Sequence, residues 1–186
     1  MTSDFSDRLA SAPDTRQRDD LWARMCCEQA LVAYERGCYP VGAVLVNQAN
    51  ERVCLGRNRV FEQGYHSHRH AEMELLDQLE SDYPELDRSG LVLYVSLEPC
   101  LMCVGRILLS GIRTVRYLVA DPVGGFTRGF HFLPPVWREL QSGTNFSLAD
   151  TDSFWPTLAH QLVVANADQM RGKTVAAWKG VVSGSD

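Results

Sequence analysis

No apolar run in this chain approaches the length that spans a bilayer, and no basic-then-apolar opening marks it for secretion. Positive charge is in short supply: Lys and Arg number 18 against 23 Asp and Glu, a formal net charge of −5. That balance excludes a general attraction for polyanions and leaves open a local basic patch. A disulfide framework is missing too. Six cysteines scattered unevenly over 186 residues fit reduced thiols in a cytoplasmic protein. Internal repeats are absent. A single globular domain remains, reading as 16–175, with 1–15 as a disordered lead-in and 176–186 as a tail.

Two short runs stand out from this background: His70-Ala71-Glu72 and Pro99-Cys100-Leu101-Met102-Cys103. Together they offer three metal-binding side chains, His70, Cys100 and Cys103, and one spare carboxylate, Glu72. Residues i and i+3 share a helix face, so the two cysteines aim at one point if a helix begins after Pro99. The positive end of that helix favours thiolates. His70 and Glu72, at i and i+2, converge only where a helix begins, which places His70 at the start of a helix running through Leu79. Three protein ligands with one position left over is the pattern of a catalytic zinc, and an unliganded Glu beside it suits a proton carrier. A closed structural site would need a fourth ligand, for which His66, His68, Cys38 and Cys54 are available. The same cysteines also fit a redox Cys-x-x-Cys or a metal-free core.

The rest of the chain supplies a scaffold. Apolar positions from Arg16 to Arg36 recur at helical spacing. Pro40–Val46 reads as a buried strand and Arg52–Arg59 as its antiparallel partner, ending on Asn58, a turn cap or a polar site residue. Leu91–Ser96 and Thr114–Val119 read as further strands, with a helix from Cys100 to Leu109 between them. This alternation predicts an α/β fold with a mixed sheet between helices. Beyond Asp121 the pattern thins to a Gly-rich loop, an aromatic segment from Phe126 to Trp137, and a last helix over Phe154–Met170.

With these motifs placed, the chain resembles the zinc-dependent cytidine deaminase superfamily, in the branch of tRNA adenosine deaminase, guanine deaminase and yeast-type cytosine deaminase. Pro40-Val41-Gly42-Ala43-Val44-Leu45-Val46, His70-Ala71-Glu72 and Ser96-Leu97-Glu98-Pro99-Cys100-Leu101-Met102-Cys103 carry the resemblance. It implies a three-layer α/β/α fold with a mixed five-stranded sheet, one Zn²⁺ on His70, Cys100 and Cys103, and Glu72 as proton shuttle. It also implies that Asn58 and the backbone N–H of Ala71 bind the base, and that the chain forms a homodimer. Arg106 stands where relatives have a small residue, and the resemblance gives it no role.

The expected reaction is hydrolytic deamination of an amino-bearing base with release of ammonia. The acidic balance favours a guanine- or cytosine-type small molecule as partner over tRNA. Deamination of a tRNA adenosine is the second reading and would need basic surface from Arg57, Arg59, Arg69, Arg106 or Arg128. A non-catalytic, zinc-stabilised interaction module is the third.

Overall fold

The computed structural model describes residues 2–180. Five strands form one sheet in the order β2 (Arg52–Arg57), β1 (Gly42–Val46), β3 (Val92–Leu97), β4 (Thr114–Val119), β5 (Asn145–Leu148). The β1 strand pairs antiparallel with β2 and β3, whereas β4 runs parallel to β3 and β5. The sheet is therefore mixed, as expected.

All five residues of β1 are buried, because helices cover both sides of the sheet. Ala43 and Leu45 pack with Leu93 and Val95 against α3 (Ala71–Asp82) and α4 (Leu101–Ser110). Val44, Val46 and Tyr94 face the opposite way, onto α2 (Asp20–Glu35) and α6 (Phe154–Trp178). Each buried Val or Leu contributes about 1.5–3 kcal/mol, so β1 fixes its register on both faces at once. This two-sided cover is why the sequence of β1 is nearly all apolar.

Two adjacent buried acids lock the start of α2 to the loop before α6. The Asp19 carboxylate accepts from Tyr94 Oη at 2.9 Å and Asp150 N at 2.8 Å. Asp20 accepts from the backbone of Gln17 at 2.8 Å and of Asp152 at 2.8 Å. These bonds join segments far apart in sequence around the helical layer.

Several elements depart from the sequence reading. Thr2–Ala10, expected to be a disordered lead-in, forms helix α1 with Phe5 buried against Tyr34 at 5.5 Å. The fifth strand that the resemblance implies was not placed from the sequence; it is β5, whose four residues are exposed or half-buried. The last helix continues past Met170 to Trp178, into the stretch expected as a tail; residues 181–186 of that tail lie outside the described residues. By contrast, the short helix that the prolines at 134 and 135 suggest from sequence is present as α5 (Pro135–Ser142), after a 3₁₀ turn over Thr127–Phe132. The aromatic segment closes over the outer face of α4, with Phe130 and Phe146 rings 5.1 Å apart, and leaves the site pocket to other residues.

Candidate metal centre and substrate pocket

His70 and Cys100 occupy equivalent places, each the extended residue that precedes a helix: φ −71°, ψ 160° before α3, and φ −75°, ψ 171° before α4. The two helices lie side by side on one face of the sheet, so both openings meet at the same end of β1 and β3. Gly56 lets β2 sit against the first turn of α3. A Cβ there would lie 2.2 Å from the Ala71 carbonyl oxygen.

The donor atoms converge closely. His70 Nδ1 lies 3.7 Å from Cys100 Sγ and 3.6 Å from Cys103 Sγ, and the two sulfurs are 3.7 Å apart. A tetrahedral ion about 2.3 Å from sulfur and about 2.0–2.1 Å from nitrogen separates two sulfurs by about 3.8 Å and sulfur from nitrogen by about 3.6 Å. The triangle matches zinc in both its dimensions and its donor types. His70, Cys100 and Cys103 are the one such group found among the described residues. Cys38 and Cys54 are buried elsewhere, His68 is exposed, and His66 rests against it at the surface; none supplies a fourth ligand.

The two thiols face each other and are pushed apart in acidity: the bond to Cys100 and burial drive Cys103 well up. The bond to Cys103 and the facing His70 ring outweigh burial and hold the Cys100 thiol down at about 4. Burial pushes the Glu72 carboxyl up, against the pull of His70. Glu72 is 3% exposed and stands outside the triangle of donor atoms while facing Cys103.

A cavity of about 290 Å³ opens over these groups, walled by His70, Glu72, Cys100, Asn58, Tyr39 and Thr174 among others. Its size admits one heterocyclic base. Asn58 is buried at its inner wall, with Oδ1 accepting from Val60 N at 3.1 Å, which orients the amide. Ala71 lies fully buried at the first position of α3, where helix geometry leaves an N–H without an intrahelical partner.

Glu98 is a site residue that the motif reading passed over. Buried beside the cysteine motif, it accepts from Asp121 N at 2.8 Å, Thr127 N at 2.9 Å and Thr127 Oγ1 at 2.6 Å. It thereby pins the 121–127 loop, whose Asp121 and Gly124 line the cavity, to the strand that leads into Cys100. The signal was present: a Glu in an otherwise apolar strand end needs donors. Gly125 makes the approach feasible, since a Cβ would lie 2.4 Å from Glu98 Cδ and 2.7 Å from Asp121 O. Gly125→Ala is expected to cost about 1–3 kcal/mol through this overpacking. At about 2–4 °C per kcal/mol for a chain of this size, thermal unfolding reads it as a clear drop in Tm.

Arg106 finds its place on the outer surface, bonded to Asp77 at 2.7 Å and Glu80 at 2.9 Å, where it clips α4 to α3. Arg57 and Arg59 pair with Glu62, and Arg69 pairs with Glu74 at 2.8 Å. Four of the five arginines proposed as a basic footprint are therefore paired, and since Arg57, Arg59 and Arg69 share the two carboxylates of Glu62 and Glu74, that cluster keeps one positive charge in excess. Arg128 instead bonds the Asp121 carbonyl at 3.4 Å.

Comparison with known proteins places this architecture. Residues 16–119 match the model of the cytidine and deoxycytidylate deaminase zinc-binding region, and the chain belongs to that family of zinc deaminases. Hydrolytic deamination of a C–N bond is the chemistry of the family. A tRNA-specific adenosine deaminase of Bacillus subtilis is 35% identical over 108 residues, 58% of this chain and 66% of that protein. The tRNA-specific adenosine deaminase 2 of Danio rerio is 39% identical over 103 residues, 52% of this chain and 47% of that protein. The chain thus spans between about half and two thirds of the length of these relatives. A solved structure from work on A-to-I editing by tRNA:A34 deaminases superposes with a TM-score of 0.56 at 30% identity, covering 62% of this chain and 89% of that one. A guanine deaminase from Nitrosomonas europaea superposes with a TM-score of 0.62 over 86% of this chain and 92% of its own, at 19% identity, a likeness of fold.

These relatives correct one expectation. Net charge ranked a small-molecule base above tRNA as partner, and the relatives of 35–39% identity are named for action on tRNA. A whole-chain sum of charges says nothing about the few groups that line one pocket, so the ranking had no local basis. Among the described residues no helix is long and apolar enough to cross a membrane.

Proposed function

We propose that the chain is an adenosine deaminase acting on RNA of the tRNA type, converting adenosine to inosine. The observation that carries the reading is 35% identity over 108 residues to a tRNA-specific adenosine deaminase, beside a family match over 16–119 that contains all three donors and Glu72. Bound in the triangle, zinc supplies a Lewis acid and a water acidified to near neutrality. The residues of the chain do the rest. His70, Cys100 and Cys103 would hold the ion, and their two sulfurs, as thiolates, would balance its charge. Glu72 would carry the two protons of the attacking water in turn, one to the ring nitrogen and one to the amino group, so that the amino group leaves as ammonia and oxygen replaces it at the ring carbon. Asn58 orients the base by its amide, a group matched to the edge of an adenine, and the Ala71 N–H is a second donor to it. A zinc-stabilised interaction module would have no use for a buried, unliganded carboxylate at this position. Six unpaired cysteines support a reducing, cytoplasmic setting.

The test is product formation on a panel: an anticodon stem-loop with adenosine in the loop, free adenosine, adenine, guanine and cytosine. Inosine is expected in the stem-loop at a rate well above any turnover of the free compounds. Ammonia from guanine or cytosine, with none from RNA, would overturn the assignment.

A further inference from the structure

A row of aromatic rings runs out of the pocket onto the surface. Tyr39 and Tyr65 line the cavity. Phe61 lies between them, its ring stacked on Tyr39 at 6.0 Å and tilted against Tyr65 at 5.7 Å. The row ends on Trp178, whose Nε1 donates to Tyr65 Oη at 3.1 Å. That bond fixes the indole by its polar edge and leaves the residue 72% exposed, whereas Trp22 and Trp155 are 3% and 1% exposed. A cation accompanies the row: Lys173 Nζ sits 5.4 Å over the Phe61 ring and bonds the Gly37 carbonyl at 2.9 Å. On the same helix, Thr174 Oγ1 lies 2.8 Å from Tyr39 Oη, at the cavity wall. The final turns of α6 thus join the pocket to the aromatic row. This region lies beyond the 16–119 segment matched by the family model.

A flat, fixed and solvent-facing indole at the mouth of a base-sized pocket has the chemistry of a stacking platform, since every base offers a π face and stacking is indifferent to sequence. We infer that Trp178 stacks on the base of the nucleotide adjoining the one deaminated, with Lys173 beside its backbone. The inference rests on the RNA reading above. It assigns the end of α6 a role in choosing a polynucleotide over a lone nucleoside. Outside the pocket, the row has no use for a free base.

The experiment compares stem-loops in which the neighbour on either side of the reactive adenosine is intact or abasic, using the full chain and its Trp178→Ala and Trp178→Phe variants. For the unmodified chain, removing one neighbouring base is expected to lower kcat/KM by about tenfold, the effect of one stacked base. For Trp178→Ala the intact and abasic substrates should become equivalent, and Trp178→Phe should restore part of the difference. Because the residue is exposed, circular dichroism should show all three proteins folded. An abasic penalty that persists in Trp178→Ala, or no penalty at either neighbour in the unmodified chain, overturns the platform while leaving RNA deamination standing. Failure of the unmodified chain to deaminate any stem-loop removes both.

Discussion

Glu72→Gln is expected to retain about one zinc ion per chain and to lose about 10²–10⁴-fold in kcat, the usual contribution of a positioned proton carrier. The substitution keeps shape and volume in a group that is 3% exposed, so packing around α3 should be little changed. The amide cannot take up a proton from water at neutral pH, and the carboxylate is not one of the three converging donors. Activity and metal content should therefore separate. Metal analysis beside a single-turnover assay on the proposed stem-loop substrate reads both. Retained turnover would show that another group carries the proton; loss of zinc would show that Glu72 is a ligand.

The second large effect is expected from the donors themselves. Cys103→Ser replaces a soft ligand that is completely buried with a hydroxyl that binds zinc weakly. Zinc content should fall from about one ion per chain to a small fraction of that, and deamination should fall below detection. Stability should follow, because an ion that binds only the folded chain stabilises it by mass action, about 4 kcal/mol at a thousandfold excess over Kd. Removing zinc from the unaltered chain with a chelator should lower Tm in the same direction, and adding zinc back should restore it. The chelated Cys103→Ser chain should show no such recovery. A Tm indifferent to zinc in both proteins would contradict a bound ion.

Much of this site was legible because the elements that carry it obey local rules. Pro99 before Cys100 announces a helix start, and the i, i+3 spacing of Cys100 and Cys103 sets them on one face, so two donors could be paired without coordinates. The β1 strand was equally plain, since cover on both faces demands an apolar run. The rest was hidden for identifiable reasons. The β5 strand offers only four residues, none fully buried, and it is held by pairing with β4 and by Phe146 against Phe130, contacts that its own short stretch does not announce. The contribution of α6 depends on contacts across more than a hundred residues, such as Asn166 Nδ2 with the Cys38 carbonyl at 3.1 Å and Tyr39 with Thr174. No local pattern reports a contact of that kind. Arg106 seemed anomalous beside the cysteines only because its partners, Asp77 and Glu80, lie on the neighbouring helix. The substrate preference failed for a different reason: it used a global charge to answer a question about one cavity.

The coordination of the ion is where the account is most exposed. X-ray absorption at the zinc edge on the purified full chain should show two sulfur neighbours at about 2.3 Å and one imidazole nitrogen at about 2.0 Å, with the remaining position filled by no protein side chain. A third sulfur, a second imidazole, or a zinc-free chain that still deaminates its substrate would contradict it.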